Sequence, residues 1–284
     1  MQNKYKGIVC IVISAFCFAV MGVFVKLAGD LPVFQKSFFR NIVSFVFAFI
    51  MLRSSPVLKK PDRGDKAVLF LRSLFGAIGV VCNFYAVDHL LLADAGILNK
   101  LSPFFALLMG ALVLKEKLKP FQVFAVCTAF LGALLVIKPG AGIASFPALI
   151  GFFGGACAGT AYTMIRLLGK RGVSGPYIVF YFSAFSLLTM GPLMLLDMRP
   201  MTFMQVIFLL LAGLSAAGGQ FAITSAYCYA PAREISIFDY SQIIFSAALG
   251  FIFFRQVPDI WSFLGYGIIL AIAFANFLYN TGKD

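Results

Sequence analysis

Charged side chains are scarce in this sequence. Asp, Glu, Lys and Arg make up 12% of its 284 residues, about half of the share that is usual in a soluble domain. Apolar residues make up 61%, and the mean hydropathy is +0.96. A soluble fold cannot remove that much hydrocarbon from water, because a large part of its surface stays wet. The composition therefore excludes a soluble domain and predicts that most apolar side chains face lipid.

The residues that catalysis and metal binding need are also few. The chain has one histidine, His89, and it lacks H-E-x-x-H, G-x-S-x-G and P-loop patterns. Its six cysteines lie in apolar runs and form no C-x-x-C pair. We therefore predict that the protein is not an enzyme, holds no metal or cofactor, and is no ATP-driven pump working alone. The net charge of +12 does not indicate nucleic-acid binding, because the basic residues cluster between apolar segments.

Ten apolar runs follow one another along the chain, each close to the roughly 20 residues that cross about 30 Å of hydrocarbon. The first run follows Lys4 and Lys6, but it is too long for a signal peptide and has no small-x-small cleavage site. The connections are short and rich in proline and glycine. The predicted fold is an all-α integral membrane protein with ten transmembrane helices, at residues 7–28, 33–52, 67–87, 93–114, 120–137, 147–168, 176–196, 203–227, 232–254 and 260–280.

The distribution of lysine and arginine orients these spans. With the N-terminus in the cytoplasm, the outer side keeps only Lys26, Lys138, Arg199 and Arg255, whereas most of the 23 basic residues lie at the cytoplasmic side. Cytoplasmic loops carry such an excess of positive charge. We predict that both termini are cytoplasmic and that the protein lies in the cytoplasmic (inner) membrane of a prokaryote.

The chain divides into two halves of nearly equal length, residues 1–138 and 139–284, with five predicted spans each. Superposing Gly79 on Gly219 aligns the span pattern of the two halves and a few further identical residues. Because each half has an odd number of spans, the halves insert with opposite topology. Such an inverted repeat is typical of transporters, whose substrate lies near the middle of the membrane between the repeats.

Several motifs resemble a known family. They are Asn83-Phe-Tyr-Ala-Val-Asp-His, Leu101-Ser-Pro-Phe-Phe-Ala and Leu112-Val-Leu-Lys-Glu-Lys-Leu in the first half, and Ala226-Tyr-Cys-Tyr-Ala-Pro-Ala and Phe238-Asp-Tyr in the second. They are similar to the EamA family of the drug/metabolite transporter superfamily, over essentially the whole chain. The resemblance implies a ten-helix fold with a central cavity and alternating access for metabolites. Asn99 and Lys100 depart from the small or apolar residues usual at that place.

Ionisable residues inside a bilayer cost at least about 2.5–3.5 kcal/mol each at a helix centre, and they are therefore functional by default. Some escape this cost because a long side chain near a helix end reaches the membrane surface. The basic residues close enough to a predicted span end to do so are Lys26, Lys36, Arg72, Arg166 and Arg233.

Three ionisable residues lie deeper. Arg40 and Lys100 are each about seven residues into spans that enter from the outside, roughly 10 Å below the outer edge. Asp239 is equally far from the inner edge, so about 10 Å of membrane depth separate it from Lys100. A lysine side chain does not close that gap comfortably, and we predict that a substrate lies between the two groups. The alternative is that these charges pair with neighbouring groups and only fix the packing.

Uncharged polar residues complete the predicted binding site. Those nearest the charged positions are Asn99, Tyr240 and Gln242, and those on other spans are Asn83, Tyr162, Tyr181 and Gln220. Two further patterns concern packing. Gly151, Gly155 and Gly159 form a small-xxx-small row in the sixth span, which permits close helix contact within the protein or in a homodimer. Pro103 predicts a kink in the fourth span, beside Lys100.

Together these features predict a secondary-active transporter that moves a small metabolite across the membrane by alternating access. The pair of cations Arg40 and Lys100 favours an amino-acid-like zwitterion or an organic anion, because Arg binds a carboxylate in a bidentate manner and Lys supplies a point charge. Asp239 is the candidate for proton coupling. Cationic substrates such as S-adenosylmethionine or a lipophilic amine are the alternative, and a channel or membrane scaffold is the alternative outside transport. The predicted partners are a small-molecule substrate, the lipid bilayer and protons as the coupling ion. The protein is expected to be a monomer or a homodimer.

Overall fold

The structure is a computed structural model that describes residues 2–54, 59–114, 119–138, 145–229 and 237–281. Within these ranges all regular structure is helical, and ten segments are long and apolar enough to cross a membrane. The predicted fold class of an all-α integral membrane protein with ten spans is confirmed. The start of predicted span nine and Arg233 lie outside the described residues.

The first half contributes five spans. Its helices are α1 (Gln2–Leu27), α2 (Val33–Ser54), α3 (Lys66–His89), α4 (Leu92–Asn99), α5 (Ser102–Leu114) and α6 (Pro120–Ile137). Together α4 and α5 form the fourth span, and a single 3-10 turn at Arg63–Asp65 precedes α3. Pro120 occupies the first turn of α6, where its missing N–H has no helical partner to lose.

The second half contributes the other five. Its helices are α7 (Ser145–Lys170), α8 (Gly175–Leu196), α9 (Phe203–Tyr229), α10 (Ser241–Phe254) and α11 (Ile260–Thr281). Residues 237–239 are also helical and are followed by a turn at Tyr240, from which α10 continues the ninth span. The predicted spans agree with these bounds to within a few residues wherever the structure describes them.

The fourth span breaks where the sequence predicts a kink. Helix α4 ends at Asn99, Lys100 caps it, and α5 begins at Ser102. Pro103 has no N–H to donate to the carbonyl of Asn99, four residues earlier, so the regular hydrogen-bond ladder cannot cross this point. The break places Lys100 at a helix terminus in the interior of the protein.

Helices of the first half pack mainly on helices of the second. The principal contacts pair α1 with α9, α2 with α8, α3 with α7, α6 with α11, and α4 with α10, and α5 also lies on α7. Gly155 and Gly159 of α7 permit close contact with α4 and α5, the two helices of the fourth span. A Cβ on Gly155 would lie 2.5 Å from the carbonyl oxygen of Leu98, and one on Gly159 would lie 2.5 Å from that of Ser102. The glycine row of the sixth span therefore serves packing inside the protein.

The protein has an apolar exterior and a partly polar interior. Leu112, Leu188 and Leu196 are among many large apolar side chains on the outside, where lipid replaces water as the solvent. Several charged side chains are instead buried among the helices: Lys36, Arg40, Arg72, Lys100 and Asp239. These buried charges mark the region in which a functional site can lie.

Candidate functional site

A cavity of about 70 Å³ lies among helices from both halves of the chain. Three of the side chains that line it are charged, Arg40, Arg72 and Lys100. The uncharged polar side chains that line it are Asn83, Asn99, Tyr162, Gln220 and Gln242. Sites for small molecules usually measure about 300–1,000 Å³, so this cavity has room for a few water molecules but must widen to admit a metabolite.

Lys100 and Asp239 form a direct ion pair. The distance from Lys100 Nζ to Asp239 Oδ1 is 2.7 Å, and the two side chains are 1% and 0% exposed. The prediction that about 10 Å of depth separate them and that a substrate bridges the gap is therefore wrong. The depth estimate assumed straight helices, whereas Lys100 leaves from a helix break and its long side chain reaches across to the turn before α10.

Asp239 and Tyr240 lie behind Lys100 and do not line the cavity. The Tyr240 ring packs against Phe104, with 6.4 Å between ring centroids. Apart from the ion pair with Lys100, the Asp239 oxygens receive no hydrogen bond within the described residues, and neither does the Tyr240 hydroxyl. A buried carboxylate with a single partner is an unusual arrangement, and it makes Asp239 dependent on Lys100 for its stabilisation.

Arg40 and Arg72 both approach the ring of Phe182. The guanidinium carbon of Arg72 lies 3.9 Å from the ring centroid, and that of Arg40 lies 5.6 Å from it. Gly76 makes room for this arrangement, because a Cβ there would lie 2.7 Å from Nη1 of Arg72. Such cation–π contacts are attractive, because the ring face carries partial negative charge.

The prediction that Arg72 and Lys36 reach the membrane surface is wrong. Arg72 is 2% exposed, and Lys36 is fully buried with its Nζ 2.6 Å from Oδ1 of Asp88. Both residues lie near the ends of their spans, but their helix faces point to other helices and not to lipid. A clue was available for Arg72, because Gly76 lies one turn later on the same helix face. Small residues of this kind mark the packed face of a membrane helix.

The two arginines have few partners of their own. Arg40 Nη1 donates to Oδ1 of Asn41 at 3.0 Å, and Asn41 in turn donates to the carbonyl of Ser37. Arg40 Nε and both Nε and Nη1 of Arg72 have no hydrogen-bond acceptor in the described part of the chain. The ion pairs found among those residues do not include either arginine. Arginine keeps its charge in proteins, so both groups present positive charge at the cavity.

The remaining predicted site residues divide into two groups. Asn99 Nδ2 donates to Oδ1 of Asn83 at 3.0 Å, and Gln220 Nε2 lies 3.5 Å from the Thr224 hydroxyl. With Tyr162 and Gln242 they form the polar part of the cavity wall. Tyr181 lies elsewhere, because it is 39% exposed on the outside of α8.

A second, open depression of about 450 Å³ lies at the predicted outer end of the bundle. Charged residues from several elements line it, namely Lys26, Asp88, Asp94, Lys138 and Asp259. Lys138 Nζ lies 2.6 Å from Oδ2 of Asp259, and the Tyr266 hydroxyl donates to Asp94 at 2.6 Å. The hydrogen bond from Lys138 holds the pKa of the Asp259 carboxyl below its usual value.

Hydrogen bonds also join two connecting segments at the predicted inner end of the bundle. Arg171 Nη1 donates to Oδ1 of Asp65 at 2.9 Å, and Lys59 Nζ donates to the carbonyl of Arg171 at 2.8 Å. These contacts join the segment before α3 to the connection between α7 and α8. The cavity therefore lies between polar contacts at both ends of the bundle, in a conformation too narrow to hold a metabolite.

Comparisons with known proteins agree with this architecture. The model of the EamA-like transporter family matches residues 5–138. The pseudopaline exporter of Pseudomonas aeruginosa is 33% identical over 271 residues, which cover 94% of each chain. Human solute carrier family 35 member G1 is 27% identical over 93% of this chain and 77% of its own. A riboflavin transporter of Vibrio cholerae is 30% identical over 72% of this chain and 69% of its own.

A solved crystal structure has the same overall fold. It aligns over 98% of each chain with a TM-score of 0.67 and 16% sequence identity. At that identity the likeness concerns the fold alone, and the chemistry has to be argued from the residues of the cavity.

Proposed function

The chain belongs to the EamA-like transporter family of the drug/metabolite transporter superfamily, and on this basis we propose that it carries a small metabolite with a carboxylate group by alternating access. The substrate is an organic anion or an amino-acid-like zwitterion. The protein is a carrier and not an enzyme, and its binding site is the cavity lined by Arg40, Arg72 and Lys100.

The excess of positive charge at the cavity is the observation on which this proposal rests. Three cations line the cavity, and Asp239 neutralises one of them, Lys100. A cationic substrate would add to this excess in a region of low dielectric constant, where charges of like sign repel strongly. A carboxylate would reduce it, and in a widened cavity it would compete with Asp239 for the ammonium group of Lys100.

This competition would couple substrate binding to the protonation of Asp239. When a substrate carboxylate takes Lys100, Asp239 loses its ion-pair partner while it stays buried. A buried carboxylate without a partner takes up a proton, because its charged form is no longer stabilised. We propose that proton binding to Asp239 accompanies substrate binding, so that pH affects transport through this residue.

An inverted repeat is the proposed basis of alternating access, with residues 1–138 and 139–284 as the two units. If each span of the first half corresponds to the span five places later, the contact of α1 with α9 corresponds to that of α7 with α3, and both occur. The contact of α1 with α10 corresponds in the same way to that of α7 with α4 and α5. The contact of α2 with α9 corresponds to that of α8 with α3, and all of these contacts occur. This pattern supports a two-fold relation between the halves.

The distribution of basic residues supports a protein of the inner membrane with both termini in the cytoplasm. The relative from Pseudomonas aeruginosa is named an exporter, and this supports outward transport by the present chain.

Counterflow into liposomes tests the proposal. Carboxylate metabolites and their matched amides are first screened with the purified protein by thermal shift, and the best-binding pair is then used with Lys100→Gln. We expect the variant to lose carboxylate uptake at least about tenfold, because a charged hydrogen bond contributes about 1.5–3 kcal/mol. Uptake of the amide should change little when it is normalised to the amount of folded protein, because the substitution also leaves the buried Asp239 without its partner. Lys66→Gln, at an exposed position outside the cavity, is the matched control.

Two results would reject the carboxylate proposal. One is equal uptake of the carboxylate and the amide by the unmodified protein. The other is a loss in Lys100→Gln that is the same for both compounds. Uptake of a lipophilic amine in preference to every carboxylate would favour the cationic alternative, and flux without counterflow would indicate a channel.

A further inference from the structure

Within the described part of the chain, Arg40 and Arg72 leave two positive charges at the cavity without a balancing group. Lys100 has Asp239 at 2.7 Å, whereas no carboxylate of the described residues pairs with either arginine. Both arginine side chains are buried, and neither can lose its proton. Counted over the described residues, the cavity therefore retains two positive charges beyond the Lys100–Asp239 pair.

The geometry around Phe182 brings these two charges to one place. Arg72 lies 3.9 Å and Arg40 lies 5.6 Å from the same ring centroid. A ring face attracts cations, but it cannot accept the N–H groups that remain. Arg40 Nε and Arg72 Nε and Nη1 are buried and have no acceptor among the described residues. Carboxylate and phosphate oxygens accept hydrogen bonds from N–H donors of this kind.

A purely structural role does not account for the pair. Helices α2 and α3, which carry the two arginines, are already joined by the ion pair of the buried Lys36 with the partly exposed Asp88 at 2.6 Å. A second link between these helices would be expected to join opposite charges in the same way. Two like charges instead repel each other, and each has lost its hydration without gaining a counterion among the residues that the structure describes.

We propose that Arg40 and Arg72 together form a subsite for a doubly negative part of the substrate, either two carboxylates or one phosphate group. This inference rests on the proposed function and adds that the substrate carries at least two negative charges. Lys100 is then not needed to balance these two negative charges and remains available for the exchange with Asp239.

A set of small anions tests the subsite on the purified full-length protein. Glutarate carries two carboxylates, glutaramate carries one carboxylate and one amide, and inorganic phosphate represents the phosphate source. Binding is measured by thermal shift for the unmodified protein, Arg40→Met, Arg72→Met and Arg72→Lys. Arg53→Met is the matched control, because Arg53 also lies over a ring, 5.0 Å from the centroid of Phe49, but is exposed at the end of α2.

We expect glutarate or phosphate to stabilise the unmodified protein more than glutaramate does. The apparent affinity for the dianion should fall at least about tenfold in Arg40→Met and Arg72→Met, less in Arg72→Lys, and not in Arg53→Met. Without anions, Arg72→Met should melt about 2–4 °C higher than the unmodified protein, because a buried charge without a counterion has been replaced by an apolar side chain. Preference for glutarate identifies two carboxylates, and preference for phosphate identifies one phosphate group.

The inference is overturned if no dianion stabilises the protein more than glutaramate does, or if the preference survives both arginine substitutions. It is also overturned if Arg72→Met melts well below the Arg53→Met control, since the arginine is then structural. These outcomes are distinct from failure of the proposed function. Transport of a monocarboxylate that depends on Lys100 but is unchanged in Arg72→Met rejects the subsite alone, whereas equal transport of a carboxylate and its amide rejects the carboxylate carrier.

Discussion

The ion pair of Lys100 and Asp239 should be one of the strongest couplings between the two halves of the chain. Both side chains are at most 1% exposed, and the pair joins the break of the fourth span to the turn before α10. Removal of one partner from a buried pair costs about 3–5 kcal/mol, because the other charge remains buried without compensation. Asp239→Asn would leave Lys100 as a third uncompensated cation beside Arg40 and Arg72, so we expect its cost at the upper end of this range.

A double-mutant cycle measures the coupling. We expect Lys100→Met and Asp239→Leu each to lower the free energy of unfolding by about 3–5 kcal/mol, and the double variant to recover most of the loss. The coupling energy should then be about 3 kcal/mol or more. Unfolding of the purified protein in detergent micelles, followed by circular dichroism against denaturant, supplies the four free energies.

The exposed pair Lys138–Asp259 is a matched control for this cycle. Its Nζ–Oδ2 distance is 2.6 Å, but the side chains are 32% and 50% exposed, and such surface pairs contribute about 0.2–1 kcal/mol. Asp259 also accepts a hydrogen bond from the Ser262 N–H. This bond is lost both in the single variant at 259 and in the double variant at 138 and 259, so its contribution cancels from the coupling energy. A coupling energy at 100 and 239 no larger than that at 138 and 259 would refute the reasoning.

Two further predictions concern packing and pH. Gly155→Ala should lower the free energy of unfolding by about 1–3 kcal/mol, because its Cβ would lie 2.5 Å from the Leu98 carbonyl oxygen. Gly267→Ala is the control, because a Cβ at Gly267 would have no atom within 4 Å. Equal melting temperatures for the two variants would contradict the prediction. Because Lys138 holds the pKa of Asp259 below its usual value of about 3.9, this group contributes stability that is present above that usual pKa and is lost as the pH falls through its lower folded-state pKa. The difference in melting temperature between the unmodified protein and Asp259→Asn, which keeps a helix-capping side chain, should be positive at pH 7 and vanish well below pH 3.9; a difference independent of pH would exclude this linkage.

The sequence by itself determined the class of fold and the number of spans. Insertion into a membrane depends on the transfer free energy of about 20 consecutive residues, and this is a property of composition along the chain. The break at Lys100 was predictable for a similar reason, since Pro103 removes a backbone donor wherever the helix lies. Arg40, Asn99 and Lys100 could be selected as site candidates because charge and amide groups deep in a span are costly in any arrangement.

The tertiary structure alone decided how these side chains meet. Lys100 could be placed at a depth from the sequence, but its contact with Asp239 depends on how α4 and α10 approach each other. The sequence predicts the wrong surroundings for Arg72 and Tyr181, because the rotation of a helix about its axis is set by packing against its neighbours. Hydropathy averages over all faces of a helix, so it cannot tell a face that lines a cavity from one that meets lipid.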